Sequence, residues 1–249
     1  MMAQHDQQQG TAVPAADSTS VTVLETKDQT PTIRSIRLTK PAGFSFQASQ
    51  SVRLMLDVKE GRDWHALSIA SAPTRDYLEF ALRNSESPFK RALYLLEPGD
   101  EVRITSPRGH FPFESDRPGI FITGGIGITP FMSTIEYATD SGLSTPLTLV
   151  YGNRSPDEVA YKGQLDELAH TNGHLRIIYT VSQPSPKLSW DHRFGHIDRD
   201  LLDEVVAGGG DAIYYFAGPP SLVSELGQLV EALGVPRERI RSELFRGYP

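Results

Sequence analysis

Between residues 18 and 113, short β-branched runs broken by turn residues dominate the chain. After Pro118 the runs become apolar throughout and alternate with longer helix-like stretches. Alternation is clearest over 32–38, where Ile33, Ser35 and Arg37 fall on one face and Arg34, Ile36 and Leu38 on the other. That is the period of a half-buried strand. Similar runs at 20–24, 51–56, 66–70, 77–82 and 101–105, with one helical piece at 88–96, predict a small antiparallel β-barrel. In the second half, strands at 119–122, 147–151, 175–181 and 212–217 are separated by helices at 130–139, 156–169, 199–206 and 219–233. Strands apolar on both sides, with helices between them, predict an α/β domain whose parallel sheet is covered on both faces. The charged stretch from Glu114 to Arg117 separates the textures, giving domains at 18–115 and 116–249 after a polar, disordered tail at 1–17.

Composition narrows the function. A net charge of −7, from 31 acids against 24 Lys and Arg, argues against nucleic acid as the main partner. No run approaches the roughly 20 apolar residues of a membrane span, and the first residues lack the pattern of a signal peptide. A cytoplasmic protein is the expectation. The chain contains 0 cysteines, which excludes disulfides, cysteine nucleophiles and an internal thiolate-held iron–sulfur cluster. His192 and His196 are four apart, but Gly195 and the proline-rich lead-in argue against a helix-borne metal pair, and no metal centre is expected.

The segment Gly124-Gly125-Ile126-Gly127-Ile128-Thr129-Pro130 follows an apolar strand and opens a helix. Glycine permits a tight turn and close approach of backbone to a pyrophosphate. The helix start adds free N–H groups and a positive dipole end. Pro130 suits the first turn, and Thr129 is placed to cap the helix or meet a ligand. A purely structural strand-to-helix turn remains open at this point. Three further strand ends carry suitable chemistry, the third strand ending near Thr180-Val181-Ser182-Gln183 with hydroxyls and an amide in reach of a ligand. Asn153, Arg154 and Ser155 follow the second parallel strand, with Arg154 a candidate for an adenosine 2′-phosphate. Gly218 and Pro219 follow the fourth, leaving backbone room for a flat ligand.

Taken together, these residues resemble the ferredoxin–NADP reductase superfamily over roughly 18–249. Gly124 to Pro130 is similar to its Gly-Gly-x-Gly-x-Thr-Pro signature, and Tyr215 to Pro220 resembles its aromatic-x-Cys-Gly-Pro-Pro signature, with Ala217 in place of the cysteine. Trp64 to Pro73 resembles its flavin motif, and His65-Ala66-Leu67-Ser68 is nearest the form of the ferric reductase and NADPH oxidase branch.

The resemblance implies that the barrel binds FAD and the α/β domain binds NAD(P)H, with hydride passing from nicotinamide to flavin. It implies that His65 contacts the flavin's phosphate or ribitol region and that Ser68 hydrogen-bonds near flavin N5. Leu67 stands where an aromatic residue covers the ring. Arg83, Ser87 and Lys90 fall in the diphosphate loop and short helix. Glu243, Phe245 and Tyr248 fall on the terminal strand that reaches the flavin's nicotinamide-facing side, with Glu243 able to polarise or protonate. Electrons would leave to a ferredoxin-like protein, an oxygenase component or a small acceptor. The alternative is a dinucleotide-binding regulatory module with a decayed flavin site, to which Leu67 and Ala217 point.

Overall fold

The computed structural model describes residues 18–58, 61–109, 111–183 and 189–245. The first half holds β1 (Ser18–Asp28), β2 (Ile33–Thr39), β3 (Ser51–Val58), β4 (Gly61–Ser68), β5 (Tyr77–Arg83), α1 (Pro88–Tyr94) and β6 (Glu101–Thr105). Its six strands form one antiparallel sheet in the order β4-β3-β6-β1-β2-β5. β1 is shared, since its first residues pair with β6 and those from Val23 onward pair with β2 across a bulge between Val23 and Glu25. A bulge bends its strand and raises the local twist, and this one curls the sheet. The two ends of the sheet approach where the Ala70 N–H donates to the Glu79 carbonyl at 2.7 Å.

The second half follows with β7 (Gly119–Gly124), α2 (Thr129–Asp140), β8 (Leu147–Asn153), α3 (Lys162–Thr171), β9 (Leu175–Val181) and β10 (Arg193–Phe194). It ends with α4 (Arg199–Gly209), β11 (Ile213–Gly218), α5 (Pro220–Ala232) and β12 (Ile240–Leu244). The strands form a parallel sheet in the order β10-β9-β8-β7-β11-β12. Alternation explains the apolar runs. Phe121 packs with Phe131, Ile135 and Leu165 on one face, while Ile120 and Ile122 pack with Leu201, Val223 and Leu226 on the other. Strand order reverses between β7 and β11, the place where open α/β sheets bind ligands.

Three local expectations change. β2 is buried on both faces rather than one, because Ile33 joins the core of the second half while Ile36 and Leu38 fill the first. The helix expected over 156–169 breaks into a single 3₁₀ turn, Pro156–Glu158, and a separate α3. Between them the buried Tyr161 has φ 61°, a left-handed conformation through which a right-handed helix cannot continue. The strand expected over 66–70 runs over 61–68 instead. Among the described residues, no helix is long and apolar enough to cross a membrane.

Candidate functional site

At the end of β7 the backbone turns through a 3₁₀ turn, Gly125–Ile128, directly into α2. The three glycines there do different work. Gly125 has φ 54°, and an added Cβ would lie 3.3 Å from Arg83 Nη2. Gly124 lies against the Gly152 carbonyl of the adjacent strand, 3.2 Å from where its Cβ would be. Gly127 faces inward, where a Cβ would sit 2.5 Å from both the Ala217 carbonyl oxygen and Thr123 Oγ1. Its glycine serves packing of the loop on β11. The Tyr151 hydroxyl donates to the Gly125 carbonyl at 2.9 Å and pins the turn from β8. Thr129 does not cap the helix as expected: it is the first residue of α2, is buried, and its hydroxyl donates back to the Ile126 carbonyl at 3.3 Å. Pro130 sits in the first turn, and its carbonyl accepts from Ser49 Oγ at 3.0 Å across the seam between the halves.

Beyond these strand ends opens a cavity of about 700 Å³. Gly124 and Gly125 line it from β7, Asn153, Arg154 and Ser155 from β8, and Pro219 from the start of α5. Gly218, with φ 147°, lies just behind; its carbonyl accepts from the Phe245 N–H at 2.8 Å. Both polar side-chain atoms of Asn153 are shielded from solvent beside the Tyr151 hydroxyl, without a hydrogen bond of normal geometry among the described residues. A buried amide left incomplete is unfavourable until a ligand completes it. With glycine backbone uncovered by side chains and two guanidinium groups, the cavity suits an elongated dianionic dinucleotide.

Arg83 belongs to this cavity. It ends β5 in the first half, and its Nη1 donates to Glu158 Oε2 at 2.9 Å and to Thr32 Oγ1 at 2.5 Å. Sequence reasoning grouped it with Lys90 on the flavin side and missed Thr32 and Glu158 altogether. No local signal marks them, because what brings them together is the packing of one half on the other.

The remaining candidates lie on β4 and α1. His65 and Leu67 alternate onto one face of β4, and Leu67 packs against the core of the first half. The His65 ring tilts over Phe89 with centroids 4.3 Å apart. Burial pushes the His65 imidazolium pKa down; Asp63 opposes this and the Lys90 ammonium adds to it. Burial also lowers Lys90. Two mutually repelling, partly desolvated bases are the chemistry a diphosphate neutralises, so this strand and helix fit the phosphate portion of a flavin dinucleotide. Ser87 caps α1, its side chain accepting from the Lys90 N–H at 3.5 Å. Ser68 closes β4 opposite Ser51.

β12 pairs with β11 so that Glu243 stands level with Ala217. Glu243 is buried, and burial pushes its carboxyl up to about 8. Tyr248 lies outside the described residues. A folded-state pKa above the unfolded value means the native state holds its proton longer, so stability is fully present below about pH 4.5 and declines toward about pH 8. Glu243→Gln removes this decline. Its melting temperature relative to the wild type is expected to rise between pH 5 and 8, by the equivalent of a few kcal/mol. Parallel thermal melts check this, and a constant offset across that range overturns it.

A parallel sheet with a glycine-lined crevice at its switch point is the architecture of a dinucleotide-binding domain. A family model described as "Oxidoreductase NAD-binding domain" matches residues 121–226. The chain is 30% identical over 227 residues to ferredoxin–NADP reductase B of Sorangium cellulosum, covering 86% of this chain and 92% of that protein. It superposes on the FAD/NAD-binding domain of nitric oxide dioxygenase from Vibrio cholerae with TM-score 0.83 at 20% identity, covering 92% of this chain and 99% of that one. A ferredoxin NADP+ reductase from Neisseria gonorrhoeae, solved with FAD and NADP, gives TM-score 0.78 at 20% identity over 92% and 98% of the chains. The chain spans about half the length of the bacterial flavohemoproteins it matches. It belongs to the ferredoxin–NADP reductase superfamily and is an FAD-dependent NAD(P)H oxidoreductase.

Proposed function

We propose that this reductase takes reducing equivalents from NADPH in preference to NADH and passes electrons to a separate acceptor: a ferredoxin-like protein, an oxygenase component or a small molecule. One observation carries the reading: the two halves converge on a single cavity with glycine backbone, Asn153 to Ser155 and the Arg83 guanidinium around it. FAD, when bound, supplies the conversion of a two-electron donor to one-electron delivery. The protein's part is binding and alignment.

On this reading residues 18–115 hold the flavin and 116–249 the nicotinamide dinucleotide. His65, Ser87 and Lys90 serve the flavin's phosphates, while Leu67 and Ser68 serve its ring. Gly124 and Gly125 give backbone access to the dinucleotide's pyrophosphate, and Arg83 faces that pyrophosphate. Arg154 and Ser155 take the 2′-phosphate as a charge-assisted pair. Glu243, Phe245 and Tyr248 belong to the nicotinamide side of the flavin. His65-Ala66-Leu67-Ser68 supports a reading nearest the ferric reductase and NADPH oxidase branch. The likeness to the reductase component of propane 2-monooxygenase from Rhodococcus jostii supports a protein acceptor.

Protein loaded with FAD is mixed anaerobically with NADPH or NADH while the flavin absorption band is followed. Both donors are expected to bleach it, NADPH at the lower concentration. Arg154→Ala is expected to raise the NADPH requirement roughly tenfold, the loss of about 1.4 kcal/mol, and to leave NADH nearly unchanged. Absence of bleaching with either donor sinks the reductase reading, and equal effects on both sink the role of Arg154.

A further inference from the structure

Glu158 is an acid placed where an anionic ligand has to fit. It ends the 3₁₀ turn after β8 and lines the cavity together with Thr32 and Arg83. Its Oε2 accepts from Thr32 Oγ1 at 2.6 Å and from Arg83 Nη1 at 2.9 Å. Thr32 and Arg83 come from the antiparallel half and Glu158 from the parallel half, so the cluster ties the two together at the cavity wall. The second terminal guanidinium nitrogen, Nη2, lies against Gly125. The Glu158 side chain is 15% exposed and that of Arg83 34%, so their attraction is only partly screened by water.

We infer that Glu158 is a built-in competitor for the dinucleotide's phosphates: it holds Arg83 in the free enzyme and must share or surrender that guanidinium when the ligand enters. A carboxylate beside the entering phosphates repels them, and a guanidinium already paired has fewer N–H groups to offer. Both effects weaken binding. Only the interaction gained after this exchange appears as affinity, so the product is released more easily than from a site with a free arginine. Glu225, the other acid lining the cavity, comes from α5, whereas the ion pair of Arg83 among the described residues is with Glu158 at 2.9 Å. The opposite role is a simple brace, in which Glu158 presets Arg83 for the ligand. The two roles predict opposite signs.

The inference rests on the reading that the cavity takes a nicotinamide dinucleotide with Arg83 at its phosphates. Titration calorimetry of NADP+ into FAD-loaded protein separates the two. Glu158→Gln keeps the shape and a partner for Thr32 while removing the charge, and is expected to tighten NADP+ binding roughly tenfold. Arg83→Gln is expected to weaken it by roughly tenfold or more, and adding Glu158→Gln to that variant should tighten it by less than the roughly tenfold gained with Arg83 present, since only the direct repulsion is then relieved. Unchanged or weaker binding by Glu158→Gln overturns the competitor role. Unchanged binding by Arg83→Gln overturns instead the reading of Arg83, whatever Glu158 does. Stopped-flow displacement of NADP+ gives an independent check, with release from Glu158→Gln expected to be slower than from the wild type.

Discussion

Gly127→Ala is expected to lower the melting temperature by about 10 °C, the equivalent of roughly 3 kcal/mol in a chain of this size. The added Cβ would meet the Ala217 carbonyl oxygen and Thr123 Oγ1, each at 2.5 Å, and the Ala217 carbonyl carbon at 3.1 Å. Neither neighbour can step aside. Thr123 Oγ1 donates to that same Ala217 carbonyl at 2.8 Å, and Ala217 sits in β11 between two parallel partners. The clash is therefore with the middle of the sheet. Gly125→Ala provides the contrast. There the strain is that of a side chain at φ 54°, about 1–2 kcal/mol, and the nearest atom is the far end of Arg83 at 3.3 Å. Gly125→Ala should weaken dinucleotide binding more than it lowers stability, with Gly127→Ala showing the reverse. Melting curves and calorimetry of both variants decide it; a smaller melting shift in Gly127→Ala than in Gly125→Ala sinks the assignment of Gly127 to packing.

The contrast also marks what the sequence can disclose. Both glycines belong to one motif, and the motif alone gives them one role. Which of them lies beneath a ligand and which beneath β11 depends on residues about 90 positions away, such as Ala217. Local patterns read well where one element decides the outcome. The alternation of Ile36 and Leu38 and the apolar runs at Ile120 to Ile122 and Leu147 to Tyr151 became core strands. They read poorly where two elements decide together. Ile33 and Ser35 look like the solvent side of a strand until the second half covers them. Tyr161 interrupts a plausible helix because its side chain is buried at the seam with a left-handed backbone. Arg83 sits in sequence close to Ser87 and Lys90 yet lines the cavity at the strand ends of the second half.

The seam itself gives the second large effect, at Glu136. This residue lies in the middle of α2, the helix that the glycine loop opens, and is 2% exposed. Its Oε2 accepts from the Ala72 N–H at 2.7 Å, and its Oε1 meets Gln164 Nε2 at 3.1 Å and Arg75 Nη2 at 2.9 Å. Ala72 and Arg75 follow β4, the strand of His65, Leu67 and Ser68. One carboxylate thus joins the strand of the flavin motif to the helix of the glycine loop. Ser133 Oγ, donating to the Ser71 carbonyl at 2.8 Å, adds a parallel tie. Glu136→Ala strands a buried N–H and deprives Arg75 of its best-buried partner, leaving it Asp140 at 3.2 Å. Removing one member of a buried pair costs about 3–5 kcal/mol, so urea unfolding of Glu136→Ala is expected to lose on the order of 3 kcal/mol. Because the lost bonds cross the seam, the single transition should also split into two, the halves unfolding separately. Glu136→Gln keeps an acceptor for Ala72 and should lose about a third as much. A one-step transition within about 0.5 kcal/mol of the wild type would mean that apolar packing at Ile33, Ala70 and Phe111 holds the halves together without Glu136.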